Sequence, residues 1–245
     1  LSLENKGVVV TRPSSLAQGL AGMIEAAGGH AYLFPAIEIE PLPAAAPSGK
    51  VDMAVFISPT AVREGLKYLA PLTHSVPHLT RVVALSRGTR RELERRGVAG
   101  ALAAEEGADS EALLALPGLQ QVAGQRIAIF RGEGGRSLLG DALRGRGATV
   151  EYVECYRRVR PRSDPAPLTA AWRAGKVHAV TVSSAQGLAN LFAMLDAGLL
   201  RSLPFFVPHA RVADEARRLG AREGLAAGPG DDEMLAALVA YFQAS

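Results

Sequence analysis

Apolar residues in this chain alternate between two rhythms. Short unbroken runs read as buried strands. Each is followed by a stretch in which apolar residues recur at three- and four-residue spacing, as on one face of a helix. In the first half the runs are Val8–Val10, Val55–Ile57 and Val82–Leu85. After the first, Leu16, Leu20, Met23, Ile24 and Ala27 mark a helix that Gly28-Gly29 stops. After the second, Ser58 stands where it can cap a helix bearing Val62, Leu66 and Leu69. After the third comes a helix over Arg90–Arg96, stopped at Gly97. Asp109 or Ser110 can then cap the helix of Leu113, Leu114 and Leu116. In the second half the strands are Ile127–Phe130, Val177–Val182 and Phe205–Val207. The helices there are Leu138–Leu143, Leu188–Leu195, Ala213–Leu219 and Met234–Phe242. Shorter returning strands fall near Tyr32–Phe34, Gly100–Ala103, Val150–Val153 and Gly224–Ala227, making about five strands per half. Strand and helix alternating at this length predict an α/β chain with parallel sheets covered by helices on both faces.

The pattern is also written twice. What runs from Gly7 to about Pro117 returns in the same order from about Gln125 to Phe242. VDMAVFISPTAVREGLKYL is answered by VHAVTVSSAQGLANLFAML, and GVVVTRP by RIAIFRG. A doubled unit predicts two similar lobes, and the junction of two lobes is a common place for a small ligand.

Two segments depart from the buried-strand pattern at equivalent points of the two copies. AIEIEP (36–41) alternates apolar and acidic residues, VECYRRVRP (153–161) ends strongly basic, and both finish at Pro. Alternation means one wet face. In a two-stranded ladder Glu38 and Glu40 can face Arg157, Arg158 or Arg160, where opposite charges pair favourably. We read these segments as the hinge: the chain leaves one lobe after a single strand–helix–strand unit, builds the other lobe, and returns. Each lobe then mixes pieces of both copies.

Composition narrows the function classes. A hydrophobic content of 48% supports two cores in 245 residues, and aromatics at 5% leave Leu, Val and Ala to build them. A net charge of +3 is too small to argue for nucleic acid, and no aromatic platform for stacking bases is evident. Only Lys6, Lys50, Lys67 and Lys176 are lysines; the remaining cations are Arg, whose planar fork suits carboxylates. Cys155 is the single cysteine, so no intramolecular disulfide forms, which fits a reducing cytoplasm, and its setting predicts a small buried hydrophobe. No apolar stretch reaches the ~18 residues of a membrane helix. The opening LSLENKG lacks a signal-peptide pattern, and a start at Leu leaves room for residues upstream.

Familiar cofactor and metal motifs are incomplete. Gly132 and Gly134 begin a G-x-G, but Ser137 stands where the third glycine of a dinucleotide loop belongs. Gly49-Lys50 and Gly175-Lys176 are each followed by Val rather than Ser or Thr, and there is no G-x-S-x-G elbow. His74 and His78 have helical spacing but enclose Pro77, and His30 and His178 sit at strand starts. What recurs instead is polarity just after the strands: Thr11-Arg12, Ser58-Pro59-Thr60, Ser86-Arg87-Gly88-Thr89, Arg131-Gly132, Ser183-Ser184 and His209-Ala210-Arg211. In doubly wound sheets ligands bind beyond the carboxyl ends of strands. Hydroxyls, glycines and arginines at helix starts there favour anions, although capping alone also explains each Ser and Thr. With no nucleophile–base pair and no metal cluster, the chemistry expected is one of positioning.

With these features the chain resembles the uroporphyrinogen-III synthase family over nearly its whole length. The resemblance is carried by VVVTRP…FPAIEIEP, FISPTAV, SRGTRREL, GADSEALL, IAIFRGEGGRSLLGDALRGRGATVEYVECYRR, VTVSSAQGLANL and FFVPHARVADEARRLGA. It implies two flavodoxin-like, doubly wound parallel-sheet domains joined by a two-stranded β-ladder linker. The first domain is 1–35 with 162–245, the second 42–152, and the linker strands are 36–41 and 153–161. It implies closure of hydroxymethylbilane, a linear tetrapyrrole with eight carboxylates, to uroporphyrinogen III with ring D inverted and water lost, without a cofactor. The residues carried over are Tyr156 as the group assisting departure of the hydroxyl, and Ser58, Thr89 and Ser184 as substrate contacts. Arg12, Arg131 and Arg136 are candidate carboxylate partners. Thr11, Thr60, Gly132, Ser183, His209 and Arg211 complete the candidate set. The chain departs from the family pattern at Ser86-Arg87-Gly88, where many members have Val-Gly, and at His209-Ala210-Arg211, where others carry hydroxyl residues. The expected setting is a cytoplasmic monomer that touches neither nucleic acid nor membrane and makes at most transient contact with the enzyme supplying its substrate. The other reading open at this point is a two-lobe binding or sensor protein for an anionic ligand, without catalysis.

Overall fold

A computed structural model describes residues 3–75, 81–104 and 109–244. His78, and Gly107 and Ala108 of the GADSEALL run, lie outside the described residues. The chain divides into two compact units: Leu1–Ile39 with Val159–Ser245, and Glu40–Arg158.

The first unit holds a five-stranded sheet. Its strands are β1 (Gly7–Val10), β2 (His30–Leu33), β9 (Ala179–Thr181), β10 (Pro204–Val207) and β11 (Glu223–Ala226), in the spatial order β11-β10-β9-β1-β2. Every pairing in it is parallel. Alternate side chains divide between its two faces, as the pleat requires. Val8, Val10, Ala179 and Phe206 pack with Leu20 and Ile24 of α1 (Ser14–Ala26) and Met234 and Leu238 of α11 (Asp231–Ala244). Val9, Val180, Phe205 and Val207 pack with α7 (Ala166–Arg173), α8 (Ala185–Met194), α9 (Ala197–Arg201) and α10 (Ala210–Arg218), through Leu168, Leu188, Leu191, Leu200 and Val212. Gly28, with φ +85°, turns the chain out of α1 as a helix-stopping glycine does.

The second unit holds β4 (Met53–Phe56), β5 (Arg81–Ala84), β6 (Leu102–Ala103), β7 (Arg126–Gly132) and β8 (Thr149–Val159), with β3 (Glu38–Pro41) at the edge. The order is β3-β8-β7-β4-β5-β6. Pairings among β4 to β8 are parallel. Met53, Val55, Val83, Ile127 and Ile129 pack with Leu113 of α4 (Ser110–Leu114), Leu119 of α5 (Pro117–Gln120) and Leu139 and Leu143 of α6 (Leu138–Gly145). On the other face Phe56 and Phe130 stack at 4.5 Å. There α2 (Pro59–Ser75) comes so close that a Cβ at Gly65 would lie 2.8 Å from the Phe130 ring. The remaining helix, α3 (Arg87–Arg95), is capped by Ser86, whose side chain accepts from the Thr89 N–H.

Each sheet mixes the two sequence copies. β1 and β2 come from the first copy and stand beside β9, β10 and β11 of the second. β7 and β8 come from the second and stand beside β4, β5 and β6 of the first. The two sheets therefore have the same arrangement with the first strand–helix–strand unit exchanged.

Four details differ from the sequence reading. The strand expected at Val150–Val153 and the basic segment after it form one continuous strand of 11 residues, β8. No Gly or Pro interrupts it, and Val153, Cys155 and Tyr156 are buried along it. Helix α7 lies in 162–176, a stretch given no helix above, and α3 begins at Arg87 rather than Arg90 because its start is set by the Ser86 cap. Of the two acidic residues read as ladder partners, Glu40 does meet Arg157, at 2.7 Å. Glu38 instead accepts from the backbone N–H and the hydroxyl of Ser14 at the start of α1, where a negative charge suits the helix dipole.

Candidate functional site

Polar groups gather at the carboxyl ends of the strands in each unit. In the second unit their centre is Tyr156. Its side chain is 1% exposed and its ring lies on Gly132, where a Cβ would come within 2.8 Å of the ring carbons. A register shift between Arg131 and Gly132 brings that glycine opposite the tyrosine. The Tyr156 hydroxyl shares a hydrogen bond with Ser58 Oγ, O to O 3.2 Å, and accepts a longer one from Arg158 Nη2 at 3.5 Å. Ser58 Oγ also accepts from the Ala61 N–H at 3.0 Å, which fixes it at the first turn of α2. Cys155 is fully buried beside this group, and burial pushes its thiol up to about 11, so it stays protonated and unreactive at neutral pH.

Next to the tyrosine is a pocket of about 400 Å³. Ile57, Leu85, Ile129 and Leu139 form its apolar walls, and Tyr152, Arg136 and Arg158 line it with Asp109 and Ser110. Arg131 lines it as well, so apolar walls meet three arginines, a lining that suits a ligand carrying both apolar rings and carboxylates. Arg136 and Arg158 are exposed, and among the described residues neither has an ion-pair partner. Arg131 is engaged: it makes an ion pair with Glu154 at 2.8 Å, donates to the carbonyls of Gly135 and Arg136, and stacks 3.7 Å from the Tyr152 ring. It holds the loop that carries Arg136. Thr60 Oγ1 accepts from Arg63, and Thr89 is fully buried with its hydroxyl 3.0 Å from Ser86 Oγ.

In the first unit Thr11 is buried and donates to the Thr181 carbonyl at 2.7 Å. Arg12 pairs with Asp231 at the start of α11 and reaches the Pro229 carbonyl. Ser184 caps α8, accepting from the Gly187 N–H at 3.1 Å. Ser183, His209 and Arg211 are exposed, and His209 stands at the N-cap of α10 without a side-chain cap bond. Among the described residues no group of three His, Cys, Asp or Glu is placed to hold a metal ion, and no helix is long and apolar enough to cross a membrane.

A family model described as uroporphyrinogen-III synthase HemD matches residues 18–236. The chain belongs to the uroporphyrinogen-III synthase family. It is 33% identical to the uroporphyrinogen-III synthase of Escherichia coli (strain K12) over 239 residues, 93% of this chain and 97% of that protein. It is 32% identical to that of Salmonella typhimurium, again over 93% and 97%. Among solved structures, uroporphyrinogen-III synthetase from Helicobacter pylori 26695 matches with a TM-score of 0.66 at 14% identity, covering 96% of this chain and 99% of that one. A mutant uroporphyrinogen III synthase from the extremely thermophilic bacterium Thermus thermophilus matches with a TM-score of 0.62 at 20% identity, covering 98% and 100%. These two likenesses show the α/β fold with parallel sheets.

Within this family member the candidate residues sort by availability. Ser183, Arg136, His209 and Arg211 are exposed; Thr11, Arg12, Thr60, Thr89 and Arg131 are bonded inside their own units. Four polar pocket residues, Asp109, Ser110, Tyr152 and Arg158, were absent from the candidate set. Arg158 lies two residues beyond Tyr156 on a strand, hence on the same face, so the period of two was the signal that could have found it.

Proposed function

We propose that this uroporphyrinogen-III synthase, a cyclising hydro-lyase of tetrapyrrole biosynthesis, works by orienting hydroxymethylbilane beside the Ser58–Tyr156–Arg158 group. The observation that carries this reading is the chain of contacts from Ser58 Oγ to the Tyr156 hydroxyl at 3.2 Å and on to Arg158 at 3.5 Å. Tyr156 is itself buried, so in this reading the half-buried Ser58 faces the substrate and Tyr156 stands behind it. The leaving hydroxyl departs as water by taking the Ser58 proton, which Tyr156 replaces, and Arg158 favours the phenolate that remains. The ring D carbon that already carries the bridge attacks first, giving a spiro intermediate without loss of a proton. Its bond to the old bridge carbon then breaks, and the unsubstituted α carbon of ring D takes that bridge carbon and releases the proton that restores the tyrosine. The azafulvene cation formed between these steps is steadied by fixed dipoles rather than by mobile water.

The rest of the work is placement. Hydroxymethylbilane also closes unaided, without inversion, so the protein must hold ring D where the inverting attack is nearer. Fixed orientation of this kind supplies up to ~7–11 kcal/mol in good cases. Arg136 and Arg158 are the proposed carboxylate partners in the second unit. Ser183, Ser184, His209 and Arg211 are the proposed ones in the first, with Thr11, Arg12, Thr60, Thr89, Arg131 and Gly132 supporting the loops around them. We propose flavodoxin-like units linked through β3 and β8, and a monomer acting in the cytoplasm.

The test is an assay separating the type III from the type I isomer. Tyr156→Phe should lower type III formation by ~10²-fold, the low end for a lost proton donor. It should cost about 1 kcal/mol of stability, one hydrogen bond. Unchanged turnover removes Tyr156 and the relay from the mechanism. A wild-type protein that binds the substrate tightly but yields only type I would be a sensor rather than an enzyme.

A further inference from the structure

The first unit has a second pocket at the opposite ends of its strands from the polar loops. Lys6 precedes β1, His178 precedes β9, Pro204 opens β10 and Arg222 precedes β11, and all four line a cavity of about 350 Å³. Trp172, Tyr241 and Phe242 supply aromatic walls. Its positive charge is only partly compensated. Among the described residues no carboxylate pairs with Lys6, whose ammonium lies 5.1 Å from the centre of the Phe242 ring. Arg222 reaches Glu223 at 3.4 Å, and the Tyr241 hydroxyl donates to the same carboxylate at 2.9 Å. His178 Nδ1 accepts from the Gly7 N–H at 2.9 Å, so the neutral ring carries its proton on Nε2. Burial, and then the nearby Lys6 charge, hold His178 below its usual range, which keeps that tautomer at neutral pH.

We propose that this pocket binds a small aromatic carboxylate, its ring against Trp172 and Phe242 and its carboxylate between Lys6 and Arg222. Aromatic walls favour a flat ring in offset or edge contact. Ammonium and guanidinium groups make charge-assisted bonds to a carboxylate. The volume of about 350 Å³ lies at the small end of ligand pockets and holds a single ring with its carboxylate. The site is separate from the Ser58–Tyr156–Arg158 group, in the other unit, and stands or falls independently of the mechanism proposed for it.

Trp172 makes the test direct, because it is the chain's single tryptophan and its indole N–H donates to Ser202 Oγ at 3.2 Å beside the pocket. In a nitrogen-15 correlation spectrum of the whole chain it gives one indole resonance. Benzoate titrated to ~10 mM, where fragments of this size begin to bind, should move that resonance saturably. Benzamide, which keeps the ring without the charge, and acetate, which keeps the charge without the ring, should leave it in place. Lys6→Gln and Arg222→Gln should each weaken the benzoate shift by ~3-fold or more, with type III formation unchanged. Absence of a benzoate shift, an equal shift with benzamide or acetate, or full affinity in both variants would overturn the proposal.

Discussion

Ile37 and Tyr156 occupy the same place in the two sequence copies, yet one is apolar and the other carries a hydroxyl. The equivalence follows from the pairing. Val10 lies beside Thr181 and Leu33 in one sheet, and Ile129 beside Val55 and Tyr152 in the other, so counting on from these pairs Arg12 matches Arg131, Pro13 matches Gly132, and Ile37 matches Tyr156. The helix starts match too: Ser184 caps α8 through the Gly187 N–H, and Ser58 accepts from the Ala61 N–H at the start of α2. A Cβ built on Gly187 would meet Ser184 Oγ at 3.3 Å and the Ile37 side chain at 3.5 Å, so the isoleucine sits close to its capping serine. In the second unit the same neighbourhood holds Tyr156, bonded to Ser58. A duplicated scaffold thus presents two serines at equivalent helix starts, and only one has a hydroxyl behind it. The partner change at the strand end fits this: Pro13 stands in one copy, and Gly132 in the other leaves room for the tyrosine ring.

The sharpest way to break the asymmetry is to close that room. Gly132→Ala would place a methyl 2.8 Å from two Tyr156 ring carbons and 3.1 Å from its hydroxyl. The ring is buried and cannot swing aside cheaply, so we expect a loss of about 2 kcal/mol, the usual scale of overpacking, read as a lower urea midpoint. Turnover should fall with it as the hydroxyl leaves Ser58. In a Tyr156→Ala background the same substitution should cost less than about 0.5 kcal/mol, as neighbouring sites that share a clash are non-additive. Equal costs in both backgrounds would show that the ring does not set the need for glycine.

Much of this was legible in the residues because it is local. The unbroken apolar runs, the capping Ser58 and the doubled order all act within a few positions, and parallel sheets follow from strand–helix alternation. Helix α7 escaped because it is only eight residues long, so its apolar stripe of Leu168, Ala171 and Trp172 covers little more than one turn. The availability of the arginines was not legible either. Arg12 and Arg131 each look like a free cation at a strand end. Their partners, Asp231 and Glu154, are 219 and 23 residues away, and only the fold brings them together. The Ser58–Tyr156 contact spans 98 residues and has no spacing signal at all.

A second comparison follows one residue earlier, where Cys155 in the second unit matches Ala36 in the first. Both are fully buried. The thiol is raised from 9.0 to about 11 by burial, so the folded state disfavours the thiolate. The sign follows from proton counting. Between pH 9 and 11 the unfolded chain has lost this proton and the folded chain keeps it, so stability falls as pH rises through that window. Two pH units correspond to about 2 kcal/mol once rounded down for relaxation. Cys155→Ala copies the first unit and should flatten that part of the pH profile, visible as the difference between the two proteins in urea midpoints. The native thiol should also resist alkylation at neutral pH. Rapid modification would mean that the strand opens around Tyr156.

The smallest expected effect separates an arginine that contacts substrate from one that holds the fold. Arg136 is exposed and, among the described residues, unpaired, while Arg131 is tied to Glu154 and to the carbonyls of Gly135 and Arg136. Arg136→Gln should therefore raise KM by ~5-fold, about 1 kcal/mol for one partly solvated carboxylate contact, with kcat and the urea midpoint unchanged. Arg131→Gln should do the reverse in order: stability falls first, by about 1 kcal/mol, through the loss of a partly solvated ion pair and a ring contact, and KM changes only as the loop bearing Arg136 loosens. If Arg136→Gln lowers stability and leaves KM alone, it belongs with Arg131 as scaffold, and the carboxylate contact in the second unit falls to Arg158.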